Sequence, residues 1–357
     1  MFVAWRDLRF AKGRFALMGT VIVLITVLVG LLSGLTAGLG RENTSAITDL
    51  PADHLVFSSP AGGDDVSFAD SHVSTETAER WAAVPGVERA EPLGIATTKA
   101  ESGARNAAVS AFGVRPGSRT APDARRIAPG SAVLSRKAAE ALGLRAGDRL
   151  ALAGQRLQVA AVAGEAMYSH TPVVWLSLHD WQRVSGGTKG STVLALTTRA
   201  AAGDLAAADR RLGTRTVTPT DALQAIGSYT AENGSLQMMR GFLFVISALV
   251  IGAFFTVWTI QRSGDVAVLK ALGASTRYLL RDALGQAVVL LTLGTGLGTA
   301  LTVGVGAAVA GTVPFVLDPT TVLVPALIMI ALGALGAALA VRRITSVDPL
   351  TALGSAR

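Results

Sequence analysis

The chain has no cysteine, four histidines and three tyrosines, and only 16% of its 357 residues are charged. Without cysteine there are no disulfides, zinc–thiolate centres or thiol catalysis. No lysine follows the glycine that a GxxxxGK[ST] phosphate loop requires, so ATP hydrolysis by that motif is excluded. HExxH and GxSxG are missing, and no spacing of Ser, His and Asp marks a triad. These gaps point away from an enzyme: no catalytic residue, no metal ligand set and no intrinsic cofactor is expected.

Charge is also missing from four long stretches. Residues 15–40, 241–261, 283–312 and 321–341 contain no Asp, Glu, Lys, Arg or His. About 20 apolar residues suffice to cross the hydrocarbon of a bilayer. Four transmembrane helices are therefore expected within these limits. A cleavable signal peptide has an apolar core of about 7–15 residues, and the first stretch is too long for one. Proton- and sodium-coupled carriers usually keep ionisable groups at depth, so charge-free spans argue against a secondary transporter.

The charges that remain are unevenly placed. The net charge is +7, yet residues 41–239 hold 20 basic and 20 acidic residues. Residues 1–14, 262–282 and 342–357 together hold 11 basic and 4 acidic residues. That asymmetry follows the positive-inside rule and not the basic stripe of a nucleic-acid binder. It puts both termini and the 262–282 loop in the cytoplasm, and residues 41–239 outside.

The segments follow from this frame. Residues 1–14, with Phe2, Trp5 and Phe10 among basic residues, read as an interfacial helix. Gly30, Gly34 and Gly38 recur every four residues, which places small side chains on one helix face for close packing within the chain or across a dimer. Residues 41–239 read as an α+β domain. Its expected strands are 53–59, 88–98, 106–115, 192–198 and 215–218, and its helices 75–83 and 203–212. A second lobe at about 130–184 is expected to run helix 135–142, then strands 149–153, 156–163 and 173–178. Residues 221–239 lack strand alternation and read as a helical stalk. Residues 313–320 form an outer loop and 342–357 a tail. The fold class is a membrane protein with four helices and a large two-lobed α+β extracellular domain inserted between the first and second.

Between the second and third apolar stretches lies RSGDVAVLKALGASTR, residues 262–277. Val266, Leu269 and Leu272 fall at roughly helical spacing, and Gly273 is a plausible C-cap. A solvated loop and a docking knob both fit this pattern. The stretch Asp265, Val266, Leu269, Lys270, Leu272, Gly273 resembles the loop of FtsX/MacB-type ABC transporter permeases, where an acidic residue and "LKALGAS" follow the second membrane helix. Arg342-Arg343 with Asp348-Pro349 and Ala352-Leu353, and Arg6-Asp7-Leu8-Arg9 at the start, match the family's tail and opening. The resemblance implies that this loop, including Arg277, couples to a cytoplasmic ABC ATPase present in two copies. It also implies a homodimer in the plasma membrane of a bacterium, with ATP bound on the partner subunit.

Residues 10–39 are similar to the haem-exporting HrtB branch of that family, which would make haem a transported substrate. Haem is a flat, apolar dianion that needs an apolar cleft, an axial ligand and a cation near its propionates. Met167, Tyr168 and His170, then Tyr229, Glu232, Met238 and Met239, are the candidate ligands, with Arg240 as the propionate partner. A mechanotransmission or lipoprotein-handling permease, and a regulator of cell-wall hydrolases, remain open alternatives.

Overall fold

The computed structural model describes residues 12–60, 65–187, 189–199, 204–261, 264, 268–270, 272–309 and 311–345. The chain divides into two units. One runs to Gly38 and resumes at Ser235, and the other is Leu39–Gly234. The expected interfacial helix lies almost wholly outside the described residues, as does the tail beyond Thr345.

The first unit is built from helices α1 (Lys12–Thr48, to Gly38), α6 (Gly227–Gln261, from Ser235), α7 (Thr276–Val309) and α8 (Pro319–Thr345). All four are long and apolar enough to cross a membrane. Each starts before its uncharged stretch; α1 and α8 also run past its end, α6 ends with it at Gln261, and α7 stops at Val309, short of residue 312. In α1 the helix passes straight through Arg41 and Glu42, because nothing there breaks it before Thr48. Met18, Ile22, Ile251, Phe255, Trp258, Leu291 and Met329 are buried at the centre of this unit. Hydroxyls on these helices bond back to the carbonyl four residues earlier: Thr26 to Ile22, Ser247 to Leu243, Thr259 to Phe255 and Thr302 to Gly298. A polar group in lipid has no water to turn to, so this local bond is what makes these residues tolerable there.

The stripe of small residues on α1 is used inside the chain. A Cβ at Gly30 would lie 2.7 Å from Thr302 Cγ2, and one at Gly34 would lie 2.3 Å from the Phe315 ring. At Gly38 it would meet the Pro314 carbonyl oxygen at 1.9 Å. Within the chain this face packs against α7 and the segment before α8.

Among the described residues the second unit contains ten strands. In chain order these are β1 (His54–Ser58), β2 (Val87–Ser102), β3 (Arg105–Val114), β4 (Ser131–Leu134), β5 (Arg149–Leu152), β6 (Gln155–Val162), β7 (Met167–Tyr168), β8 (Thr171–Ser177), β9 (Val193–Thr198) and β10 (Thr214–Val217). The helices are α2 (Thr75–Ala82), α3 (Arg136–Leu142), α4 (Leu178–Val184) and α5 (Leu205–Leu212). Ser74, Ser135, Ser177 and Asp204 cap their N-termini by accepting from the third following N–H, and left-handed glycines 143 and 213 close α3 and α5.

The 16-residue β2 joins two sheets. Its first half pairs with β9 in the order β10-β1-β9-β2, and α2 and α5 cover one face through Trp81, Val56 and Leu194. Its second half pairs with β3, and the order β2-β3-β8-β4-β6-β5 closes back onto β2. The second lobe is thus larger than residues 130–184. It needs the end of β2 and all of β3 to complete its ring, and it includes β4 and α4, which the sequence reading left out. The stalk also differs. Residues 221–225 form a 3-10 turn, Ile226 is extended, and α6 then starts at Gly227.

Candidate functional site

Two places bring together residues singled out by the sequence. The first is the turn before α7. Ala274 N donates to Leu269 O at 2.9 Å and Gly273 N to Lys270 O at 3.0 Å, with Gly273 at φ +92°. This is a Schellman ending, and it requires a residue that tolerates the left-handed region, hence glycine. The cap turns Leu272 into solvent, where it is 79% exposed, with Val268 and Leu269 beside it. Arg277 is also exposed and Lys270 half-buried. Asp265 and Val266 lie outside the described residues. Among the described residues Val268, Leu269 and Leu272, Leu269 the least exposed at 37%, make an apolar knob.

The second place lies in the α+β unit, where β7 turns into β8. Tyr168 pairs with Thr171, so Ser169 and His170 form a two-residue hairpin loop. Both have positive φ, +49° and +60°. That is the mirror-image type I turn, in which Asn-Gly is favoured; a side chain in the left-handed region costs about 1 kcal/mol or more at each position. The loop is held from two sides. Ser169 N donates to Asn43 O at 2.9 Å and His170 N to Glu42 O at 3.2 Å, on the last turns of α1. Ser45 Oγ accepts from Met167 N at 2.9 Å. From α6, Ser228 Oγ lies 2.8 Å from Ser169 Oγ and donates to Asn43 Oδ1 at 2.8 Å. Glu232 Oε2 is 2.7 Å from His170 Nε2.

His170 Nε2 has a second neighbour, Asn43 Nδ2 at 3.2 Å. One ring nitrogen cannot donate to a carboxylate and accept from an amide at once. With a proton on Nε2 the histidine serves Glu232; with the proton on Nδ1 it serves Asn43.

The candidate ligands are scattered by this geometry. Tyr168 points into the core, edge-on to Phe68 and Phe112 with ring centroids 5.8 and 5.7 Å away. Burial pushes its phenol well above the usual range, so in this state it offers no phenolate to iron. His170 is occupied as described. Tyr229 is half-buried and packs against the same core as Tyr168. Glu232, Met238 and Met239 are exposed and Arg240 is half-buried. Glu232 is the one candidate that touches another, His170. Asn43 and Ser228 were missed, since an isolated Asn or Ser carries no spacing signal.

In the helical unit, α6 and α8 leave a groove of about 770 Å³. Val245, Leu249, Leu335 and Leu339 line it, and Gly252 and Gly336 approach closely at its floor. Among the described residues that line it none is ionisable.

Comparison with known proteins identifies related chains. The profile of the MacB-like periplasmic core domain matches residues 15–214, and that of the FtsX-like permease C-terminal region matches residues 238–349. A Staphylococcus epidermidis chain named for hemin transport, the permease HrtB, is 24% identical over 356 residues, covering 99% of each chain. An uncharacterized ABC transporter permease of Mycobacterium tuberculosis is 26% identical over 371 residues, again covering 99% of each. The periplasmic region of MacB from Actinobacillus actinomycetemcomitans aligns with a TM-score of 0.37 and 11% identity, covering 50% of this chain and 95% of that one.

Proposed function

We propose that this chain, which belongs to the FtsX/MacB family of ABC transporter permeases, exports haem or a similar amphiphilic compound from the membrane. The carrying observation is the match to a chain named for hemin transport, which spans 99% of both sequences. It therefore includes the spans and the outer domain alike. The energy comes from a separate ATPase chain, because this sequence has no phosphate loop. The working complex is a homodimer with two ATPase subunits, its termini and the loop before α7 in the cytoplasm.

The apolar knob of Val268, Leu269 and Leu272 is the ATPase contact in this reading. A charge at its centre opposes burial by several kcal/mol. Leu269→Asp with Leu272→Asp is expected to abolish co-purification of the ATPase while membrane insertion persists. Undiminished co-purification would rule the knob out as the contact.

The substrate is tested by titrating haem into the detergent-purified protein and following the Soret band. A saturable shift, larger than that in empty micelles and weakened by Tyr229→Phe or Glu232→Ala, is expected. A shift no greater than micelle partitioning would remove haem and leave the permease reading intact. A second reading, force transmission without passage of substrate, is favoured by α1 and α6. Each begins or ends in the outer domain and is one unbroken helix, Lys12–Thr48 and Gly227–Gln261.

A further inference from the structure

We propose that His170 is a two-position latch, exchanging its Nε2 bond between Glu232 on α6 and Asn43 on α1 as the permease works. Three observations carry it. Both partners are already within reach of one nitrogen, at 2.7 and 3.2 Å, and only one can be served at a time. The exchange needs a tautomer change and no net proton, so the two positions are alternatives of one folded state. The hairpin that presents the imidazole holds two non-glycine residues in the left-handed region, a geometry that persists where surrounding contacts hold it.

The surroundings are those of a joint and not of a core. Around the tip the contacts are hydrogen bonds: Ser169 to Ser228, Ser228 to Asn43, and two backbone N–H groups to α1 carbonyls. His170 and Glu232 keep 31% and 47% of their side-chain surface in solvent, so water can replace that bond cheaply, whereas Asn43 is buried. One residue below, Tyr168 is anchored in the aromatic core. The hairpin thus has a fixed root and an exchangeable tip. In one position the tip bonds the first turns of α6. In the other it turns to Asn43 on α1, and α6 keeps only the bonds made by Ser228. Among the described residues the other bonds to the tip come from the same two helices.

The proposal rests on the permease reading but not on haem as substrate. The test is ATP turnover by the reconstituted complex with its ATPase, with no substrate added. The chain has no cysteine, so Ser169→Cys with Ser228→Cys gives one disulfide, between positions whose oxygens are 2.8 Å apart. Locking the tip to α6 should lower turnover by roughly 10-fold or more, restored by reductant. Glu232→Ala, which removes the imidazole's bond to α6, should raise turnover above wild type. Wild-type turnover with the disulfide fully formed would overturn the latch. So would failure of the pair to oxidise, or equal loss of turnover in both variants, which is the mark of a merely structural junction.

Discussion

Gly38→Val is expected to unfold the helical unit or prevent its accumulation, and Gly38→Ala to lower its thermal stability more than Gly34→Ala does. In an exposed helix the change from glycine to alanine would stabilise by about 1 kcal/mol. Here the sign is reversed by what the new atom meets. At Gly38 a Cβ would sit 1.9 Å from the Pro314 carbonyl oxygen and 2.3 Å from its carbon, both backbone atoms. The segment before α8 would have to move, and the bond from Val316 N to Gly34 O at 3.1 Å would go with it. Overpacking of this kind costs about 1–3 kcal/mol and more where backbone must shift. At Gly34 the obstacle is the Phe315 ring, a side chain that can swing aside. Phe315→Ala should therefore rescue Gly34→Ala and leave Gly38→Ala unrescued. The measurement is thermal unfolding in detergent with light scattering for mass. A dimer converted to an equally stable monomer would return this face to the dimer interface.

The spacing of these glycines announces a close approach but not by whom. A period of four fixes a helix face, whereas the partner, Pro314-Phe315, lies about 280 residues away in a short loop with no pattern of its own. The same division runs through the fold. The four spans are legible because lipid forbids charge over some 20 residues, a local rule written in composition. The ring of six strands is not, because closure of β5 onto β2 rests on two residue pairs, Ala100 with Leu152 and Glu101 with Ala151. Nor are β4 and β7, at four and two residues, long enough to show alternation.

The site divides likewise. Tyr168 and His170 look alike in sequence, two polar aromatic side chains near each other in one stretch. The hairpin separates them, because Tyr168 closes the core and His170 occupies the tip. Glu232 stands out in the sequence as a polar side chain near Tyr229, in the stretch just before the second span. Asn43, 127 residues from His170, was not, because its role exists only once the hairpin has folded against α1.

Trp181→Ala is expected to cost the outer domain about 3–5 kcal/mol, the usual range for removing a buried aromatic. Trp181, on α4, is 4% exposed and lies across Gly94 and Gly113, which face each other between β2 and β3. A Cβ at Gly94 would be 2.3 Å from the indole Cδ2, and one at Gly113 would be 2.4 Å from the Trp181 Cβ. The paired glycines make the flat floor on which the ring rests, and both are in ordinary strand conformation, so their role is space and not backbone freedom. Three outcomes follow from this geometry. Trp181→Phe should cost far less than alanine, since it keeps most of the packing and removes an indole N–H that has no partner among the described residues. Gly94→Ala should destabilise the wild type by about 1–3 kcal/mol. The same Gly94→Ala in the Trp181→Ala background should cost little, because the atom it collides with is gone. Hydrogen exchange of the β2 and β3 amides in the full chain reads all three, each factor of ten in protection being about 1.4 kcal/mol. Equal cost of Gly94→Ala in both backgrounds would mean that the ring is not what the glycines accommodate. The strands' own twist would then have to account for two glycines opposite each other in the longest ladder of the ring.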